Sequence, residues 1–253
     1  MQATARDGIV ARVPSSPQTF VLIHGAWHGA WCWHKVIPLL EAQGHRVLAP
    51  DLPSMGADTR APASVTLQSW ARFVSDLLDA QPEPVVLVGH SRGGIVMSQA
   101  AELVPRRIRR LVYLCAFLLP SGHNLAEEAR GDADSLIPPN MIPAASGVTC
   151  TVRKSVLREA FFGCCSQDDY EYALARLSPE PLKPLVTPLR LTQRNFGSVP
   201  RAYIETSRDR AVTLALQRRM QAALPCEPVF TLDCDHSPFL SAPAALAELL
   251  GRL

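Results

Sequence analysis

The stretch Val85-Val86-Leu87-Val88-Gly89-His90-Ser91-Arg92-Gly93-Gly94 decides how this sequence folds. Val85 to Val88 is an unbroken apolar run with three β-branched residues, the pattern of a strand buried on both faces. G-x-S-x-G follows at once. A strand that turns sharply into a helix leaves no room for side chains beside the turning residue, hence Gly89 and Gly93. Ser91 is then held at the tip with its hydroxyl exposed over the strand ends. The motif alone is a weak signal. Between a strand and the helical stretch Gly94 to Leu103, it makes Ser91 a candidate nucleophile rather than a structural serine.

The same rhythm extends outward. Thr19 to Ile23, His45 to Ala49, Arg110 to Phe117, Ala202 to Glu205 and Val229 to Leu232 read as further strands. Helical spacing runs from about Trp33 to Gln43, although Pro38 leaves its start or straightness open. Leu67 to Leu78 is a clearer helix, with Trp70, Phe73, Val74 and Leu77 at i, i+3, i+4 and i+7. Apolar strands alternating with helices predict the α/β class, a mostly parallel, doubly wound sheet. One region breaks the rhythm. Pro120 to Pro200 holds nine of the 22 prolines, the pairs Phe161-Phe162 and Cys164-Cys165, and no clear strand. It reads as a helical cap, residues 118–195, inserted before the Ala202–Glu205 strand of a single domain spanning 1–253. A helix over Asp168 to Leu177 is expected within it.

A serine hydroxyl needs a base to take its proton, and the base needs an orienting acid. In folds with this elbow the chain order is Ser, Asp or Glu, then His. Only two histidines follow Ser91. His123 opens the cap, where a surface histidine is the ordinary expectation. His236 lies in Asp233-Cys234-Asp235-His236-Ser237-Pro238, the loop after a strand, where a base must sit to reach over the sheet edge. His236 is therefore the predicted base. Asp209, in Ser207-Arg208-Asp209-Arg210, is the predicted acid, its bland alternative being a solvated carboxylate paired with Arg208 or Arg210. Glu205 is still in a strand, and Asp233 and Asp235 stand too close to His236 in sequence to face its ring. The developing oxyanion requires donors, assigned to the backbone N–H of Arg92 at the helix start and of Ala26 in His24-Gly25-Ala26-Trp27.

Composition removes other classes. With 25 basic and 23 acidic residues, the net charge of +2 offers no general attraction for nucleic acid or anionic lipid. The longest apolar run, Leu111 to Leu119, is too short to span a bilayer, so no membrane association is expected. Met1 to Pro17 mixes charges with small residues and has no apolar h-region. Seven cysteines, odd in number and without C-x-x-C spacing, read as reduced thiols of a cytoplasmic protein. His24 and His28 at i, i+4 lack a third ligand and an intervening Glu, so neither a metal nor any cofactor is expected.

Two runs carry a family resemblance: His24-Gly25-Ala26-Trp27-His28-Gly29-Ala30-Trp31-Cys32-Trp33 and Pro38-Leu39-Leu40-Glu41-Ala42-Gln43-Gly44-His45-Arg46-Val47. With Phe196-Gly197-Ser198-Val199-Pro200-Arg201-Ala202-Tyr203-Ile204 and Asp235-His236-Ser237-Pro238-Phe239, they resemble the α/β-hydrolase branch of plant methylesterases, plant hydroxynitrile lyases and bacterial esterases. The resemblance runs from about Thr19 to the C-terminus and is thinnest from Asn124 to Thr151. It implies the α/β-hydrolase fold, with Ser91, Asp209 and His236 at the triad positions and Ala26 and Arg92 at the oxyanion positions. In the lyases the position of Gly25 carries a Thr, and that of Ser237 a Lys; neither is present. Arg92 departs from the branch, which usually has an apolar residue there. Its side chain either reaches a carboxylate or lies among neighbouring loops.

The leading expectation is a serine hydrolase of hydrophobic or aromatic small-molecule esters, including pyrethroid-like ones. A lyase or other non-hydrolytic enzyme on the same site, and a ligand-binding or sensing protein on a hydrolase frame, are the alternatives. Gly25, Trp27, Phe161, Phe162 and Tyr170 are candidate pocket residues. Exposed apolar residues of the cap would provide a surface for a homodimer.

Overall fold

In a computed structural model, which describes residues 17–253, the strands in chain order are β1 (Thr19–Ile23), β2 (Arg46–Leu48), β3 (Val85–His90), β4 (Ile108–Leu114), β5 (Met141–Pro143), β6 (Thr149–Val152), β7 (Glu180–Pro181), β8 (Arg201–Thr206) and β9 (Val229–Leu232). The export-signal reading of Met1 to Pro17 lies, but for Pro17, outside the described residues. Six strands form one sheet in the order β2-β1-β3-β4-β8-β9, all parallel. This is the α/β-hydrolase architecture, and the strand bearing the Ser91 turn lies inside the sheet, flanked by β1 and β4.

The strands are apolar throughout because both faces are covered. Successive side chains alternate between the faces. Val21, Ile23, Val85 and Leu87 join the core packed by the helices Leu67–Asp79 and Gly93–Leu103. Phe20, Leu22, Val86 and Val88 join the opposite core, with the helices Val36–Ala42 and Pro243–Leu250. The Leu67–Asp79 helix starts at a capping box, in which the Thr66 hydroxyl accepts from the Ser69 N–H and the Ser69 hydroxyl accepts from the Thr66 N–H. Pro38 is the third residue of its helix, inside the first turn, where its missing N–H has no partner to lose.

The segment between β4 and β8 departs from the helical expectation. Besides the helices Leu125–Arg130, Lys154–Phe161, Gln167–Leu174 and Leu182–Leu185, it contains an antiparallel sheet in the order β5-β6-β7. These strands have two to four residues. Pro143 and Pro181 sit within them, so neither length nor alternation could reveal them in sequence. Among the described residues no helix is long and apolar enough to cross a membrane.

Candidate active site

The loops after β3, β8 and β9 leave the same, carboxyl-terminal edge of the sheet, where open parallel sheets form their crevices. They carry Ser91, Asp209 and His236. Ser91 has φ +52°, in the left-handed region that ordinary residues avoid. Its neighbours hold it there: the Ser91 N–H donates to the Leu114 carbonyl (3.2 Å), and the Ser91 carbonyl accepts from Phe117 N–H (3.0 Å). The following helix lies so close to β1 that a Cβ on Gly93 would stand 2.8 Å from the Ile23 carbonyl oxygen. The strained turn is thus held by backbone hydrogen bonds and by close packing against β1.

Asp209 and His236 are both buried. His236 Nδ1 lies 2.6 Å from Asp209 Oδ2, which also accepts from the Thr206 hydroxyl (3.0 Å). Asp209 Oδ1 accepts from the N–H groups of Ala211 and Val212, each at 2.8 Å. An ionised carboxylate only accepts hydrogen bonds, so the one facing Nδ1 places the ring proton there and leaves Nε2 with its lone pair. The nearby arginines pair elsewhere, Arg208 with Asp233 and Arg210 with Glu159. Asp235 is occupied by Cys164 N–H (2.7 Å) and the Ser241 hydroxyl (2.7 Å), and Glu205 pairs with Arg218. His123 is exposed, 3.8 Å from Glu128.

Ser91 and His236 line one cavity of about 240 Å³ together with Ala26, Trp27 and Arg92. Its other walls come mainly from the β4–β8 segment and are mostly apolar, among them Leu125, Ile137, Met141, Phe161 and Leu182, with Arg130 as a charged lining residue. Neither Ala26 N–H nor Arg92 N–H donates to an acceptor among the described residues. Phe162 and Tyr170, expected in the lining, lie elsewhere: Phe162 packs against His28, and Tyr170 against Phe162. Phe161 and Phe162 are consecutive at a helix end and project in different directions, so only one faces the cavity. Gly25 does not line it either. A Cβ there would stand 2.6 Å from His90 Nδ1 and 2.9 Å from Ser91 Cβ.

The Arg92 side chain reaches a carboxylate, and it belongs to the protein. Both partners are fully buried, with Arg92 Nε 2.8 Å from Glu180 Oε1. Arg92 Nη2 donates to the Gly25 carbonyl (2.9 Å), and its guanidinium carbon lies 4.2 Å from the centre of the Trp70 ring. Glu180 Oε2 accepts from Trp27 N–H at 2.9 Å. Burial lowers the Arg92 pKa and raises that of Glu180, and each charge partly offsets the other's shift. Sequence reasoning missed Glu180: within Pro179-Glu180-Pro181 nothing marks it as the partner of a residue 88 positions away.

Three further histidines, His24, His28 and His90, are buried around the site. Burial lowers the pKa of all three, helped by the charge of Arg92 at His24; that of His28 falls to about 3. The unfolded chain, with histidines near 6.5, binds protons that the folded chain refuses. Stability is therefore complete above about pH 6.5 and is lost as pH falls below it, His28 contributing to that loss down to about pH 3. The urea midpoint is expected to be clearly lower at pH 5 than at pH 7.5; equal midpoints would contradict neutral burial of these rings.

His24 is not free to ligate a metal, because its Nε2 accepts from Leu52 N–H (3.1 Å) and its Nδ1 donates to the Gly25 carbonyl (2.9 Å). His90, Cys115 and His236 bring ligand atoms within 4.8 Å of one another. The donor set suits a cation poorly. Burial pushes the Cys115 thiol up and away from the thiolate that a cation requires, and Cys115 Sγ already lies 3.7 Å from the His236 carbonyl.

The alpha/beta hydrolase family model matches residues 20–249. Methylesterase 2 of Arabidopsis thaliana is 33% identical, covering 92% of this chain and 94% of that protein. Three longer Arabidopsis thaliana relatives, named as chloroplastic methylesterases, match at 34–35% identity over 91–93% of this chain. The chain spans only 55–62% of their length. Among solved structures, a pyrethroid hydrolase from Sphingobium faniae JZ-2 superposes with a TM-score of 0.80 at 30% identity, covering 94% of this chain and 97% of that one.

Proposed function

We propose, from the premise that this chain belongs to the alpha/beta hydrolase family, that it hydrolyses carboxylic esters of apolar small molecules through an acyl-enzyme on Ser91. The observation that carries this reading is the meeting of Ser91 and an Asp209-anchored His236 in one apolar cavity. His236 Nε2 takes the Ser91 proton as the hydroxyl attacks the ester carbonyl, and returns it to the leaving alcohol. Asp209 holds the ring in the tautomer that can accept that proton, and stabilises the imidazolium. The N–H groups of Ala26 and Arg92 receive the oxyanion, and water, activated by His236, then releases the acid.

Substrate class follows from the walls. The segment between β4 and β8 caps the cavity mostly with apolar side chains, Arg130 being the charged one, which favours hydrophobic or aromatic acyl and alcohol groups. The names of the relatives, methylesterases and a pyrethroid hydrolase, agree with that class. The lyase alternative finds less support, since the site has no room beside His90 for a side chain at Gly25. A panel of p-nitrophenyl and aryl methyl esters graded in acyl and alcohol size tests the reading. Turnover should favour the apolar members, with no cleavage of mandelonitrile. Mandelonitrile cleavage without ester turnover, or tight binding of the esters without hydrolysis, would overturn it.

A further inference from the structure

We infer that Arg92 and Glu180 form a clamp that aims the Ala26 N–H, so that Arg92 supplies one oxyanion donor through its backbone and orients the other through its side chain. The inference rests on the proposed hydrolase reading and adds two positioning residues to it.

The geometry turns on one peptide unit. Gly25 C=O and Ala26 N–H belong to the same trans peptide, in which carbonyl and N–H point in opposite directions. Whatever grips the carbonyl therefore sets the direction of the N–H. Arg92 Nη2 grips it at 2.9 Å, alongside His24 Nδ1 at 2.9 Å. A charged donor on the carbonyl also polarises the peptide and strengthens its N–H as a donor. The other side of Ala26 is held by the same pair. Trp27, with φ +61°, is in the left-handed region, and its N–H is bound by Glu180 Oε2 at 2.9 Å. Its carbonyl accepts from Ser178 N–H (2.9 Å), and its indole N–H donates to the Cys150 carbonyl (3.1 Å). The loop is thus fixed before and after Ala26 by one ion pair running from the nucleophile turn to β7.

A buried ion pair has no other evident use here. Such pairs add little stability over apolar residues of similar volume, because desolvation opposes their attraction. Two buried charges beside a nucleophile therefore suggest a geometric purpose, and that purpose can be separated from stability.

The double variant Arg92→Leu/Glu180→Leu removes both charges and keeps the Arg92 backbone N–H. It should melt no lower than Arg92→Leu alone, which strands the Glu180 carboxylate. Its kcat/KM on a p-nitrophenyl ester should fall about 10- to 100-fold, below the full loss of one donor, with KM within about threefold. Binding of a trifluoromethyl ketone, which forms a tetrahedral adduct with the serine, should weaken by the same factor as kcat/KM. A double variant with wild-type kcat/KM, or one altered in KM alone, would overturn the clamp. If that variant does not fold, Arg92→Lys decides. Lysine keeps the charge but cannot reach Glu180 and Gly25 together in a rigid fork, so kcat should fall with KM unmoved, whereas wild-type kcat would overturn the inference. Failure of the hydrolase reading looks different: Ser91→Ala would then hydrolyse esters as the wild type does.

Discussion

Replacing Ser91 by Ala is expected to lower kcat for a chromogenic ester by about 10⁴- to 10⁶-fold, the range seen when a serine nucleophile is removed from an intact triad. The residual rate would come from the oxyanion donors and the cavity, which the substitution leaves in place. Folding should survive, because Ala and Ser meet the same cost at φ +52° and the turn is held through backbone bonds from Leu114 and Phe117. The check is turnover of purified variant alongside its melting temperature. An unchanged melting temperature with unchanged turnover would remove Ser91 from the chemistry.

Asp209→Asn is expected to cost about 10⁴-fold in kcat, for a reason visible in its partners. All four groups around the carboxylate that lie within 3.0 Å, His236 Nδ1, the Thr206 hydroxyl and the Ala211 and Val212 amides, act as donors. An asparagine offers one accepting oxygen and one donating NH₂. If the oxygen stays with the amides, the NH₂ faces His236 and drives its proton to Nε2, the atom that must accept from Ser91. If it turns the other way, two buried amide donors lose their acceptor and stability falls by about 1–3 kcal/mol. Kinetics and denaturation of one variant report on both. A kcat within tenfold of wild type would show that another group orients His236.

The pattern of these sites in the sequence was uneven for physical reasons. β3 and its turn were legible because close packing dictates composition there: an apolar run, then glycines where backbones touch. β1, β8 and β9 were legible as apolar runs, and the loops after β8 and β9 then proposed Asp209 and His236. The strands β5 to β7 were not, since two to four residues with prolines carry no period. The two phenylalanines at 161 and 162 looked equivalent, and only the helix end at Phe161 separates one wall residue from one core residue. Arg92 stood out as a departure, but its partner did not. Glu180 lies in a strand of two residues, and its meaning exists only once β7 is laid against the Trp27 loop.

The proposed covalent acyl-enzyme at Ser91 can be trapped during turnover. The protein would be mixed with a p-nitrophenyl ester, quenched in acid within milliseconds to seconds, and measured by intact-protein and peptide mass spectrometry. The expected result is a burst of p-nitrophenol of about one equivalent and an added acyl mass on the peptide containing Ser91, absent from Ser91→Ala. Steady turnover with no acyl mass at any time, or an acyl mass on another residue that persists in Ser91→Ala with full activity, would contradict it.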